Sequence, residues 1–319
     1  MLRRILIGLA ALIVAAVAAA AIVLALDKRA INGIAPPLPS PDEVLAFDPD
    51  ADLPVRLSWL NTATQPMSRS LVLDPARDPT PSAPYLMSHP SFVLEWADGR
   101  IFLVDVGMDP EAAEAFGRPF ELVVGAGKIQ PLGSGAARLG DALARVAGIA
   151  FTHEHPDHVE GVAELCRLHP KPIALFQGRL QVEETNFTTR PGQREISEAK
   201  CLARRVLDGT RLLALPGFPG LAFFAAGGHT PGSQIFVAHV RGASGVRTWI
   251  FVGDIANQID GVRQNVPKPS FYSLLIVPES TARLDALRRF LAELEREHGA
   301  GLLVSHDQLS LQASGLPAL

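Results

Sequence analysis

Residues 149–158 read IAFTHEHPDH and place a short apolar run directly before a cluster of metal-ligand side chains. The apolar run predicts a buried strand. His153 and His155 are two positions apart, so both imidazoles point to the same side if the chain stays extended. Pro156 then stops the strand, because it lacks a backbone N–H, and forces a turn. That turn can bring the following Asp-His pair to another side of the same pocket.

The composition of this segment favours a metal site. A single histidine at the end of a strand is usually a hydrogen-bonded core or surface residue. Three histidines and one aspartate within six residues are typical of a site that binds metal. Imidazole nitrogens combined with carboxylate oxygens suit zinc best, and iron or manganese are possible when carboxylates increase in number.

The segment THEHPDH at 152–158 resembles the H-x-H-x-D-H signature of the metallo-β-lactamase superfamily. Three later segments resemble the companion motifs of that family, in the family order: GHTPG at 228–232, FVGD at 251–254 and SHD at 305–307. The resemblance covers about residues 55–310. It implies an α+β fold, the αββα sandwich of this superfamily, here preceded by an N-terminal transmembrane helix.

The resemblance also implies seven metal ligands. These are His153, His155 and His229 for a first zinc ion, Asp157, His158 and His306 for a second, and Asp254 as the carboxylate between the two. Asp157 is in addition the candidate catalytic residue, since it can orient the nucleophile or pass a proton. Asp105 resembles the aspartate that supports the metals from beneath, although an ordinary turn residue after a strand is the alternative.

Two adjacent zinc ions ionise a bridging water at neutral pH, and the resulting hydroxide attacks an electrophilic carbon or phosphorus. The resemblance therefore implies a dinuclear zinc-dependent hydrolase of a small ester-like substrate. The true β-lactamases of the family generally lack the bridging aspartate that this chain has in its Gly-Asp motif at 253–254. Only 13 residues follow His306, too few for the helical domain of glyoxalase II.

These features favour a lactonase-like enzyme. The acyl-homoserine lactonases share the ligand set, but they usually carry a tyrosine shortly after the bridging aspartate, where this chain has IANQ at 255–258. Several alternatives stay open: a phosphodiesterase, β-lactamase or thioesterase of the same fold, an iron dioxygenase, or a degenerate fold that acts as a binding or scaffold module. The substrate itself is not determined by the sequence.

Residues 5–26 contain no charged or strongly polar side chain. Their 22 residues, at about 1.5 Å each, extend roughly 33 Å, enough to cross a bilayer. Arg3 and Arg4 precede the run and favour a cytoplasmic N-terminus, with the domain on the periplasmic side, although Lys28 and Arg29 weaken that orientation. The alternative is a signal peptide cleaved near 18–20, which would release a secreted protein.

The chain thus divides into a membrane anchor or signal segment at 1–30, a Pro-rich linker at 31–54 and a hydrolase domain at 55–319. The linker composition predicts a semi-rigid spacer without a helix or a central strand.

Within the domain, hydrophobic patterning predicts the regular elements. Strands are expected at 55–60, 91–96, 101–104, 173–176, 221–225, 234–240, 248–252 and 302–304, and helices at 139–146, 159–168, 195–207 and 279–297. The polar segment 177–194 is a candidate lid or substrate wall.

The remaining features carry less information. A formal net charge of -4 without a Lys/Arg run predicts no nucleic-acid partner, so the expected partners are a small-molecule substrate and the membrane. Cys166 and Cys201 are interpreted as small buried residues in two helices, and pairing between them stays open. No role is assigned to His89, His169, His239 or His298. The oligomeric state is not predicted.

Overall fold

The computed structural model describes residues 2–319, with side chains from Arg4 onward. Two β-sheets stack face to face, and helices cover both outer surfaces. This is the predicted αββα sandwich.

The first sheet has the strand order β4-β1-β2-β3-β5-β6-β7. Its strands are β1 (Arg56–Met67), β2 (Tyr85–Glu95), β3 (Ile101–Val104), β4 (Gln130–Pro131), β5 (Val146–Ala150), β6 (Ile173–Gly178) and β7 (Leu202–Leu207). The predicted hairpin is confirmed, because β2 and β3 pair antiparallel. From β3 through β7 the neighbouring strands are parallel.

The second sheet has the order β12-β11-β10-β9-β8. Its strands are β8 (Leu213–Ala214), β9 (Leu221–Ala225), β10 (Gln234–Gly242), β11 (Gly245–Gly253) and β12 (Gly301–Val304). The predicted strands of this sheet are all present. Only β11 and β12 pair in parallel, so both point their carboxyl ends to the same edge of the sandwich.

Eleven α-helices lie in the part of the chain that the structure describes. They are α1 (Leu2–Asn32), α2 (Pro41–Leu45), α3 (Pro110–Val124), α4 (Gly135–Leu139), α5 (Pro156–Val159), α6 (Val162–Leu168), α7 (Arg179–Glu183), α8 (Arg190–Glu198), α9 (Ile259–Arg263), α10 (Thr281–His298) and α11 (Gln308–Ala313). Short 3-10 helices occupy 69–71 and 140–145, and a π-helical turn occupies Tyr272–Ile276.

Aromatic side chains fill the space between the sheets. Phe92 of β2 meets Phe251 of β11 edge to face, with ring centroids 5.0 Å apart. The outer face of the second sheet is covered by α10, whose leucine stripe at 284, 287, 291 and 294 is buried as its helical spacing predicts. This packing holds the strand ends at one edge in a fixed arrangement.

One predicted helix in the domain is wrong, and another is largely a 3-10 helix. The segment 195–207 ends its helix at Glu198 and continues as β7, whose exposed edge position accommodates the charged residues that suggested a helix. The segment 139–146 is α-helical only to Leu139 and continues as a 3-10 helix over 140–145. Gly140 has a φ of 52° and ends α4, and Val146 already belongs to β5.

The Pro-rich segment 31–54 contains a helix that its composition did not predict. Ser40 caps α2 through the backbone N–H of Glu43, and Glu43 reaches back to Ser40, which completes a capping box. Val44 and Leu53 are buried against the domain. The segment therefore lies along the domain surface.

The N-terminal helix α1 contains a stretch, Arg4–Asn32, that is long and apolar enough to cross a membrane. Its apolar side chains through Leu26 are largely exposed, whereas Ile31 is buried in the domain. Asp27 accepts a hydrogen bond from the Phe187 backbone N–H, and Lys28 donates one to the Glu279 carbonyl. The helix is thus joined to the domain at its C-terminal end.

A disulfide joins Cys166 of α6 to Cys201, just before β7. The pairing that the sequence left open is present, whereas the prediction of a helix at Cys201 is wrong, because β7 begins at the next residue and places Cys201 beside α6.

Candidate metal centre and active site

The predicted ligands come from loops that leave the strands at one edge of the sandwich. The chain after β5 carries His153 and His155, and α5 begins at Pro156 to present the next two ligands. The loop after β9 carries His229. Asp254 follows β11 directly, and His306 comes two positions after the end of β12. Parallel strand ends explain how residues so distant in sequence lie together.

The first group of side chains consists of His153, His155, His229 and Asp254. His155 Nδ1 lies 3.0 Å from His153 Nε2 and 3.2 Å from His229 Nε2. Asp254 Oδ2 lies 3.4 Å from His229 Nε2. All four side chains are buried.

The second group consists of His158, Asp254 and His306. The two histidine Nε2 atoms are 3.4 Å apart, and Asp254 Oδ1 lies 3.5 Å from the first and 3.0 Å from the second. Asp254 therefore belongs to both groups. Asp157 Oδ2 is 3.4 Å from His306 Nε2 and 3.8 Å from His158 Nε2.

Each of the five histidines uses its outward nitrogen on an oxygen of the protein. The acceptors are Thr152 Oγ1 for His153 (3.2 Å), Thr188 Oγ1 for His155 (2.8 Å), Asp105 Oδ2 for His158 (2.9 Å), Glu279 Oε1 for His229 (2.6 Å) and the Ser88 carbonyl for His306 (2.7 Å). Such contacts orient a ring and set its tautomer. The buried Asp105 thus occupies the supporting position that the resemblance implies.

A divalent cation fits this arrangement. In the neutral form of each ring the outward nitrogen carries the hydrogen-bonding proton, so the inward nitrogens would face one another with lone pairs. Asp254 Oδ1 likewise has no hydrogen-bond donor although it is buried. Nitrogen and carboxylate atoms converging in a buried pocket are the donor set of zinc and related metals.

The charges in the cluster shift its titration. Burial would raise the pKa of Asp254, but the neighbouring His306 and His153 hold it well below its ordinary value. Burial would raise the pKa of Asp157 as well, but His158, His89 and His306 together lower it. Both carboxylates are therefore ionised at neutral pH.

Sequence reasoning missed two residues behind His229. Glu279 precedes α10 and accepts hydrogen bonds from both His229 and Lys268, whose Nζ lies 2.6 Å away. Burial would raise the pKa of Glu279, but Lys268 and His229 together lower it to about 2. Lys268 also donates to the Asp254 carbonyl, at 2.8 Å. Neither residue belongs to a motif, so a sequence signal for them was absent.

His89 is a third residue that the sequence left without a role. It lies on β2, fully buried, with Nδ1 3.2 Å from Asp157 Oδ2. Its ring contacts His306 edge to face, with centroids 5.1 Å apart. His89, Asp157 and His306 form a further group of possible ligands. The other three histidines outside the motifs, His169, His239 and His298, belong to none of these three groups.

A mainly apolar pocket opens onto the cluster, with an empty volume of about 840 Å³ that includes its opening to solvent. Its lining combines four cluster residues with apolar side chains from distant segments: Met67, Leu71, Val72, Met87, Phe116, Phe120, Val124, His155, Pro156, Asp157, Thr188, Asp254, Asn257, Phe271, Tyr272, Ile276, Val277 and His306. Thr188 belongs to the segment 177–194, which was predicted as a lid or substrate wall, so part of that segment lines this pocket. Tyr272 supplies a phenol to it, although it follows the aspartate motif by 18 positions.

Solved structures with the same fold are similar to this chain over most of its length. An N-acyl homoserine lactone hydrolase, solved with the product N-hexanoyl-L-homoserine at its catalytic metal center, has a TM-score of 0.60 and 17% identity, covering 83% of this chain and 98% of that one. A probable metal-dependent hydrolase from Staphylococcus aureus has a TM-score of 0.56 and 13% identity, covering 81% and 91%.

A dizinc quorum-quenching lactonase in complex with a product has a TM-score of 0.53 and 14% identity, covering 81% of this chain and 92% of that one. No curated protein sequence matches. The sequence profile of the metallo-beta-lactamase superfamily matches residues 85–293, more than half of the chain. The chain therefore belongs to the metallo-beta-lactamase superfamily, with the fold and the His/Asp cluster of a metal-dependent hydrolase.

Proposed function

We propose that this protein is a dinuclear zinc hydrolase that cleaves lactones or related esters carrying an apolar chain. The proposal assigns His153, His155 and His229 to one zinc ion and Asp157, His158 and His306 to the other, with Asp254 between them. Its support is the convergence of six of these side chains in two groups that share Asp254, with Asp157 next to His306 in a third group. When bound, the zinc ions would supply a water nucleophile at neutral pH and polarise the bond under attack.

One observation carries the choice of substrate: the pocket that reaches Asp157, Asp254 and His306 is mainly apolar. Among the described residues that line it, neither lysine nor arginine occurs. An anionic phosphodiester would lack a cationic side chain there, whereas an acyl chain would bury its surface against Phe116 and Phe120. The apolar wall therefore favours a carbonyl substrate.

The chain's own residues would then orient the reaction. Asp157 stands at the base of the pocket as an ionised carboxylate, held near His89, His158 and His306. In this position it can accept a proton from the attacking water and return it to the leaving oxygen. Tyr272 can donate a hydrogen bond to a substrate oxygen, because burial raises the pKa of its phenol well above 10 and keeps it protonated. Tyr272 would thus take the role of the tyrosine that the lactonases carry closer in sequence to the bridging aspartate.

The structural neighbours also support a lactone-like substrate. Two of them are lactone hydrolases that were solved with a product, one of them dizinc. At 17% and 14% identity they share the fold with this chain, so they add to the pocket argument without replacing it.

We further propose that residues 1–30 anchor the protein in a membrane, with the hydrolase domain, 55–319, on the periplasmic side. The length and apolar composition of α1 support the anchor. The Cys166–Cys201 disulfide supports an oxidising compartment, because cytosolic thiols are generally kept reduced. The hydrogen bonds of Asp27 and Lys28 support retention of the helix, since the domain uses its end as a structural element.

Hydrolysis by the full-length, zinc-loaded protein in detergent tests the proposed reaction. Proton release would be measured with lactones, simple esters, thioesters, phosphodiesters and β-lactams, and His153→Ala would serve as the blank. We expect turnover of lactones or esters that disappears in the blank. Turnover of phosphodiesters alone, or none from protein that holds two zinc ions, would contradict the proposal.

A further inference from the structure

We propose that the mouth of the pocket is seated on the membrane that α1 crosses, so that substrate enters from the lipid. This inference rests on the proposed function and narrows its substrate to an amphiphilic ester dissolved in the bilayer. It is carried by two exposed apolar segments at the pocket mouth and by the place where α1 joins the domain.

The first apolar segment is the π-helical turn and the residue before it. Phe271, Tyr272 and Ile276 line the pocket. Leu274 and Leu275, between them, are 54% and 67% exposed. One turn of chain thus contributes both to the pocket wall and to an apolar surface outside it.

The second apolar segment is the last turn of α3. Phe120 and Val124 line the pocket, and Leu122 and Val123 are 76% and 80% exposed. Two exposed apolar pairs on separate elements therefore flank the same pocket. Exposed apolar surface beside a pocket is typical of an interaction site, and here both pairs adjoin residues that line the candidate active site.

The position of α1 identifies the bilayer as the partner. The helix packs against the π-helical turn, and Lys28 hydrogen-bonds to the carbonyl of Glu279, three residues beyond that turn. Asp27 binds the backbone of Phe187, next to the pocket residue Thr188. The exposed apolar run ends at Leu26, so it ends where these contacts begin. No spacer separates the predicted span from the pocket mouth.

The fold then orients the sandwich relative to the membrane. The site lies at the end of β10 that begins with Gln234, whose N–H donates to Thr152. At the other end, Arg241 donates to the carbonyl of Pro54. Seven residues at about 3.3 Å place the two ends roughly 23 Å apart. The site end faces the lipid, and the β10–β11 hairpin faces away from it.

An entrance at lipid depth selects substrates by where they dissolve. A long acyl chain already lies in the bilayer, so it can pass from lipid to the apolar pocket without crossing water. Short, water-soluble esters gain nothing from this route. The protein would therefore act on lipid-like lactones or esters of the leaflet that faces its domain.

Lipid quenching of inserted tryptophans tests the docking surface without reference to catalysis. Full-length Leu275→Trp and Val123→Trp proteins would be reconstituted in phosphatidylcholine vesicles with plain or brominated acyl chains. Val55→Trp is the matched control, since Val55 is 44% exposed beside Pro54 at the far end of the sheet. The three native tryptophans are buried and give a common background. We expect brominated lipid to quench the first two variants and not the control.

Equal fluorescence of Leu275→Trp in both lipids would overturn the proposal. A second readout uses the double variant Leu274→Asn, Leu275→Asn, in which no pocket-lining residue changes. Its turnover of a long-chain lactone dissolved in the bilayer should fall roughly tenfold, with turnover of a short soluble lactone unchanged. Equal losses for both substrates would also overturn the proposal. Quenching without hydrolysis of any substrate would instead overturn the proposed function and leave the docking surface standing.

Discussion

The ligand cluster and the apolar wall line the same pocket, yet they are built in different ways. The cluster is held by directional contacts: each histidine has an outward acceptor between 2.6 and 3.2 Å, and the ligand side chains lie buried. The wall is a set of apolar side chains from α3, β1, residues 71–72, β2 and the 271–277 segment, which would contact the proposed substrate by burial alone. In the proposed reaction, chemistry would depend on a few directional bonds, and selectivity on a surface whose members act additively.

This contrast predicts different responses to substitution. A change in the cluster removes a bond that nothing else replaces, so it affects every substrate. A change in the wall removes a fraction of the buried area, so it affects substrates in proportion to the length of their apolar chain.

The largest effect is expected from His153→Ala. Loss of this ring removes one predicted ligand and should lower turnover of all substrates by at least about 10³-fold, as expected when the metal-supplied nucleophile is lost. Steady-state rates on short and long esters measure it. His298→Ala is the control, since His298 is exposed at the end of α10. A selective loss for long substrates only would contradict the assignment of His153 to the cluster.

A smaller effect is expected from Glu279→Gln. The substitution keeps the shape but removes the charge that orients His229 and neutralises Lys268, and losses of such outer contacts typically amount to about 10–100-fold in metal affinity or activity. Zinc affinity by chelator competition and turnover both measure it. Glu295→Gln, which loses only a surface pair with Arg263, should match the wild type. Unchanged zinc affinity in Glu279→Gln would show that the contact with His229 does not support the metal.

A selective effect is expected from Phe120→Ser in the wall. Long-chain esters should lose roughly tenfold in kcat/KM because an aromatic contact is removed, while short esters should keep their rate. The ratio of kcat/KM across a series of acyl lengths measures it, and the short esters are the internal control. A uniform loss across the series would place Phe120 among the supports of the metal centre.

The smallest effect concerns His239, a buried histidine that belongs to neither region. Burial lowers its pKa from 6.5 to about 4. Between these values the unfolded chain binds the proton and the folded chain does not, so the associated stability is complete above pH 6.5 and is lost as pH falls toward 4. His239→Gln should therefore weaken the acid dependence of the free energy of unfolding, measured by urea denaturation from pH 7 to 4.5. An identical pH dependence in both proteins would contradict this cause.

The convergence of the predicted ligands could be anticipated from the sequence because these residues follow strands within a few positions. His153, Asp254 and His306 each come within a few residues of an apolar run, and the ends of those strands meet at one edge. The second sheet and α10 are predicted for a related reason, since their apolar periodicity matches their burial.

The rest depends on contacts that no local pattern records. Glu279 and Lys268 reach His229 from segments without a motif, and His89 reaches Asp157 from the middle of β2. The strand β7 has a charged, edge-exposed sequence that suits a helix equally well, so its pairing with β6 was missed. Because β7 was missed, the position of Cys201 beside α6 was missed as well. The apolar wall likewise joins segments that are up to about two hundred residues apart, beyond any pattern in the sequence.

The zinc content of the purified full-length protein tests the central claim most directly. After dialysis against zinc and then against metal-free buffer, elemental analysis should find two zinc ions per chain in the wild type. Asp254→Asn, which weakens the one carboxylate common to both groups, should retain fewer. Less than one zinc ion per chain in the wild type would contradict the account and favour a binding or scaffold role for the fold.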